Sequence, residues 1–84
     1  MLTPSQCRAA RGLLDWTQQE LADTAHIGVA TVRLFEGEGA EARPATIAVL
    51  RLAFEKAGVE FIDANGGGPG VRLTGKPKKD ARKK

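Results

Sequence analysis

Apolar side chains along this chain recur at two periods. Cys7, Ala10 and Leu14 stand three or four residues apart, as do Val32 and Phe35, and so do Ile47, Leu50, Phe54 and Ala57. That is the spacing of helices with one buried face. Leu21 supplies the apolar position of a fourth, shorter helix. From Val59 the pattern changes. Val59 and Phe61 fall on one side of an extended segment, Glu60 and Ile62 on the other, which reads as a short strand. Asp63 to Gly70 is a glycine-rich turn, and Val71-Arg72-Leu73 is a second strand. Thr74 to Lys84 has no apolar period and reads as a disordered, Lys-rich tail.

Polar residues mark the helix ends. Thr3 suits an N-cap, Pro4 the first helical position, and Gln6 the third, so Thr3-Pro4-Ser5-Gln6 predicts a capping box and a helix to about Leu14. Thr17 with Glu20 repeats the device, and Trp16 just before it is placed to staple onto Leu21. The third helix is expected over Val29–Glu36, with Gly28 in the N-cap slot. Gly37 to Ala42 reads as a flexible connection. The fourth helix is expected from Ala45 or Thr46 to Ala57, with Gly58 as the residue that ends it.

Two stretches of this pattern, with their residues, point to a family. Thr17-Gln18-Gln19-Glu20-Leu21-Ala22, then Ile27-Gly28-x-x-Thr31-Val32, then Glu36 keep the order and spacing of two short helices joined by a tight turn. Over residues 5–57 the chain resembles the Cro/C1-type (XRE) family of DNA-binding regulators. The resemblance implies a mainly α fold: a four-helix, lambda repressor-like helix-turn-helix domain over 1–58, here followed by a β-hairpin over 59–73 and the basic tail over 74–84. In such a domain the second helix of the motif enters the major groove of DNA. The resemblance gives Gln18 a backbone phosphate, and puts Val29, Ala30, Thr31, Arg33 and Leu34 towards the groove. It pairs Arg11 with Glu36 as a structural ion pair. Arg43, beyond the connection, is a candidate for a phosphate or minor-groove contact, as are Arg72 and the tail lysines. His26 stands where the family usually has a left-handed glycine, a backbone region that histidine tolerates better than branched residues do.

Charge complicates that picture. Residues 1–63 hold six basic and nine acidic side chains, whereas residues 64–84 hold seven basic and one acidic. The folded part is mildly acidic and the positive charge is concentrated in the tail, an uncommon arrangement for a protein whose affinity rests on phosphates. The third helix also carries no Asn, Gln or Lys. Arg33 can bond guanine O6 and N7, and Thr31 and Ala30 can touch a thymine methyl, so direct readout is thin. Two functions follow: a sequence-specific regulator of transcription acting as a repressor on a palindromic operator, or a protein-interaction module on the same fold that binds or inhibits another regulator.

Other chemistries find little support. One His, one Cys and no paired carboxylates offer no acid–base or nucleophilic site, so no enzyme, metal or cofactor is expected. Cys7 reads as a small core residue before it reads as a redox switch, and His26 as a turn residue before a ligand. The run Gly66-Gly67-Gly68 lacks the Lys-Ser/Thr of a phosphate loop. No apolar run approaches the ~20 residues of a membrane span, and no signal-peptide core is seen, so a cytoplasmic, nucleoid-associated protein is expected. A twofold homodimer would double the contacts to DNA. The hairpin, marginal alone, is the element free to build it through Val59, Phe61, Ile62 and Val71, unless it folds back on the fourth helix of its own chain.

Overall fold

Both sequence-marked capping boxes form. In the computed structural model, which describes residues 2–38, 43–63 and 66–74, the Thr3 hydroxyl accepts from the Gln6 N–H at 3.0 Å and the Gln6 side chain accepts from the Thr3 N–H at 2.9 Å. Pro4 follows at the first position, where a missing N–H leaves nothing unpaired, and helix α1 runs Pro4–Leu14. Asp15 then turns left-handed, φ 59° and ψ 35°, and ends the helix without a glycine. Thr17 and Glu20 cap helix α2, Gln18–Ala25, in the same reciprocal way, at 3.0 and 2.8 Å. His26 terminates α2 in the left-handed region at φ 61°, as its place in the turn required.

Helix α3, Val29–Glu38, opens with the Thr31 and Val32 N–H groups donating to the Gly28 carbonyl. It overruns the expected end at Glu36 by two residues. Gly37 does not adopt a positive φ, and its ~1 kcal/mol helix penalty is too small to stop a helix already propagating. Helix α4, Pro44–Lys56, likewise starts earlier than expected because Pro44 occupies its first turn. Gly58, with φ 99°, makes the bend into strand β1, Val59–Ile62. Strand β2, Gly70–Leu73, pairs antiparallel with it: Val59 faces Leu73, Glu60 faces Arg72, Phe61 faces Val71 and Ile62 faces Gly70. The described residues thus form a mainly helical chain of four helices and one small two-stranded sheet. None of these helices is long and apolar enough to cross a membrane. The connection at 39–42, the turn residues 64–65 and the basic tail from 75 onwards lie outside the described residues.

The core centres on Phe54, Leu21, Leu50, Val32, Val59 and Cys7, all essentially without solvent contact. Trp16, expected to staple locally onto Leu21, has its ring stacked on Phe54 of α4, centroids 5.8 Å apart. Phe61 meets the same Phe54 edge-on at 5.9 Å, and the Arg51 guanidinium lies 5.3 Å from the Phe61 ring centre. Phe54 therefore joins the α1–α2 junction to the hairpin.

This packing corrects the assignment of Val59 and Phe61 as side chains free for dimerisation. Val59 is 1% exposed and Phe61 9%, because β1 lies on α4 and β2 on α1 of the same chain. Val71 is half-buried against the same core. Of the hairpin's four candidates, Ile62 alone faces solvent substantially, on the outer side with the Glu60–Arg72 ion pair. One side chain fixes the dock. Gln6, 3% exposed, donates from Nε2 to the carbonyls of Ile62 at 3.3 Å and Gly70 at 3.0 Å while its Oε1 serves the cap.

Candidate functional site

Val29 apart, the described side chains of α3 divide by helical spacing. Val32, Phe35 and Glu36 point inward and are buried. Ala30, Thr31, Arg33 and Leu34 point outward and are exposed, Leu34 at 56%. At 100° per residue, Ala30, Leu34 and Gly37 form the crest of the outer face, with Arg33 on one flank and Thr31 on the other. Arg33 makes no ion pair among the described residues, so its guanidinium is available to a partner. Val29 departs from the expected set: it is half-buried and packs against the core, because the first turn of α3 leans on its neighbours.

What holds this face in one orientation is the carboxylate of Glu36, 3% exposed. Arg11 grips it with two parallel bonds, Nε to Oε2 and a terminal nitrogen to Oε1, both 2.8 Å. Gln18 donates to Oε1 at 3.0 Å and the Cys7 thiol to Oε2 at 3.0 Å. Arg8 adds a bond to the Glu36 backbone carbonyl, and Arg11 another to the Trp16 carbonyl at 3.0 Å. Each carboxylate oxygen thus has two donors, and residues from α1 and α2 converge on one point of α3. A fork-shaped guanidinium is the side chain best able to satisfy both oxygens at once.

Titration follows from that geometry. Burial by itself would raise the Glu36 pKa; the bonds from Arg11, Cys7 and Gln18 outweigh it, and the carboxyl is held below its ordinary value. Cys7 moves the other way. Burial first, and then the bond to the Glu36 carboxylate, push its thiol far above the usual range. A protonated, enclosed thiol is neither a nucleophile nor an oxidation target. Cys7 is accordingly a core residue with a donor role.

The remaining sequence candidates scatter. Gln18 is half-buried and its amide is engaged by Glu36, so that part of it is spent within the fold. Arg43 is exposed at the start of α4, where its side chain makes no capping bond. Arg72 is exposed but pairs with Glu60 across the strands, at 3.1 and 3.2 Å. The structure therefore groups Ala30, Thr31, Arg33 and Leu34 on one face, links Gln18 to them through Glu36, and leaves Arg43 and Arg72 on other elements. Three participants in this support were not read from sequence, Cys7, Arg8 and Gln18 as donors to Glu36, and neither was the second end of Gln6, which holds the hairpin. Among the described residues no group of His, Cys, Asp or Glu is arranged to hold a metal ion.

No family model matches the chain, and no curated protein matches it.

Proposed function

We propose that this protein is a sequence-specific DNA-binding regulator of transcription, a repressor of the Cro/C1 (XRE) helix-turn-helix type, which sets α3 into the major groove of an operator. The observation that carries the reading is the outer face of α3. It is solvent-facing, bears a guanidinium with no ion-pair partner among the described residues, and is fixed in orientation by an ion pair at its inner side whose carboxylate is buried. The tight turn at His26 between α2 and α3 supports it, because it places a second helix end beside the first turn of α3. Arg33 reads guanine; Gln18 and Arg43 meet backbone phosphates; the basic tail adds affinity without sequence information.

A twofold homodimer on a palindromic site completes the proposal, since two half-sites one helical turn apart double a thin readout. With Val59 and Phe61 enclosed, the hairpin's apolar side chains left for a second copy are Ile62 and Leu73, 36% and 51% exposed. The exposed Leu34 also favours a second reading, in which the α3 face binds another regulatory protein, because a lone apolar crest suits a protein surface as well as a groove.

Titration of a labelled random-sequence duplex at two salt concentrations separates these readings. The DNA reading expects binding that weakens steeply with salt, a shallower slope on deletion of residues 75–84, which removes six basic and one acidic side chain, and retained sequence preference. For Arg33→Ala it expects a loss of about 1–3 kcal/mol on selected sites and a narrower gap to random DNA. No salt-dependent binding to any duplex would contradict it and leave the protein-interaction reading.

A further inference from the structure

Among its described side chains, α3 presents few groups that can contact a base. Reading adenine bidentately takes a carboxamide, and accepting from cytosine N4 takes a carboxylate. All three glutamines in the chain are engaged: Gln6 on the Ile62 and Gly70 carbonyls, Gln18 on Glu36 and Gln19 on Asp23 at 2.9 Å. None of them lies on α3. Among the described side chains of α3 the one carboxylate, Glu36, is buried and fully paired. What remains outward is one guanidinium, the methyl and hydroxyl of Thr31, and the apolar crest of Ala30 and Leu34.

Resting on the DNA-binding reading, we infer that this face recognises a guanine accompanied, within one or two base pairs, by a thymine methyl. Arg33 takes O6 and N7 of the guanine, and the 5-methyl of the thymine packs on Ala30 and Leu34. Arg33 and Leu34 are consecutive on the helix, on neighbouring rows of its outer face, so their side chains reach neighbouring base pairs. Leu34 is 56% exposed in the free protein, and a methyl group is the one apolar feature the major groove offers it. The methyl is thus a second specificity element beside the guanine. A cytosine methylated at carbon 5 presents the same group at the same place and is accepted where unmodified cytosine is rejected.

The test is selection of a randomised duplex library on the full chain, followed by resynthesis of the enriched site in modified forms. Replacing each thymine by deoxyuridine removes the methyl and nothing else. The expected loss is about fourfold per contacted methyl, the worth of one buried carbon. Leu34→Ala should bring the thymine-to-uracil ratio close to one while preference for guanine over 7-deazaguanine persists, and circular dichroism should show the variant folded. Arg33→Ala should do the reverse. Enriched sites that bind equally with thymine or uracil would overturn the methyl inference and leave DNA binding standing. A library that does not enrich, with no retention at low salt, would overturn the DNA reading itself and the inference with it.

Discussion

Removing the Gln6 carboxamide should loosen the hairpin from the helices more than any other single polar truncation in α1. The side chain is 3% exposed and makes three bonds: it accepts from the Thr3 N–H at 2.9 Å and donates to the carbonyls of Ile62 and Gly70 at 3.3 and 3.0 Å. Each such bond contributes about 1 kcal/mol net, so Gln6→Ala should cost about 2–3 kcal/mol. In a domain this small that shifts the midpoint of thermal unfolding by about 10–20 °C. Gln6→Glu keeps the cap acceptor but sets a carboxylate against two carbonyl oxygens, and should cost more than alanine at neutral pH. Urea unfolding followed by Trp16 fluorescence and far-ultraviolet circular dichroism gives both numbers. Amide exchange locates the effect: protection should fall first in Val59–Ile62 and Gly70–Leu73. A loss under about 0.5 kcal/mol, or glutamate tolerated as well as alanine, would refute the clamp.

Glu36→Gln should cost about 3 kcal/mol at neutral pH, since it leaves the Arg11 guanidinium without its charge partner in a largely enclosed site. Because folding lowers the Glu36 pKa, its stabilisation is present above the ordinary value of 4.5 and is lost as pH falls through the lower, folded-state value. The difference between wild-type and Glu36→Gln stability should therefore shrink in acid; a constant difference down to pH 3 would contradict the assignment. Cys7 titrates with the opposite sign: its raised folded pKa means that stability declines as pH rises above the ordinary 9.0, where the unfolded thiol ionises and the folded one does not. Cys7→Ala should flatten that alkaline limb, and native Cys7 should resist alkylation until the chain unfolds. Gly12 sits inside α1 without a positive φ, and a Cβ there meets nothing within 4 Å. Gly12→Ala should thus stabilise by about 0.5–1 kcal/mol in the same urea assay, and a destabilised variant would show that the helix surface there is occupied.

The local devices were legible in the sequence because their partners lie within a turn of helix. Thr3 with Gln6 and Thr17 with Glu20 needed only their spacing. The place of His26 in the turn came through the resemblance, and histidine's tolerance of positive φ made it acceptable there. The Arg11–Glu36 pair came through resemblance and not through spacing, and the structure contains it. What escaped were contacts whose two ends are far apart in sequence. Gln6 was visible as a cap residue, but its second role depends on carbonyls 56 and 64 positions away. The same distance hid the fate of the hairpin. Alternation of Val59, Glu60, Phe61 and Ile62 correctly gave its two faces, yet whether the apolar face met α4 or another copy was undetermined until Phe54 and Gln6 were placed. Trp16 was placed next to Leu21 by spacing, but its stacking on Phe54 of α4 was not legible locally. At the candidate site the set Val29, Ala30, Thr31, Arg33 and Leu34 came through the resemblance; the structure leaves the last four exposed and Val29 half-buried, since burial at a helix's first turn depends on how its neighbours are inclined.

The central claim is that the outer face of α3 meets DNA, and amide chemical-shift mapping of the labelled protein tests it most directly. On addition of a duplex carrying the selected site, the account expects the largest shifts at Ala30, Thr31, Arg33 and Leu34, with smaller ones at the start of α2 around Gln18. The Arg33 side-chain resonance should move on the selected duplex and much less on a random one of equal length. Shifts confined to the hairpin, or to the exposed apolar residues Val49 and Leu52 of α4, with α3 silent, would contradict it.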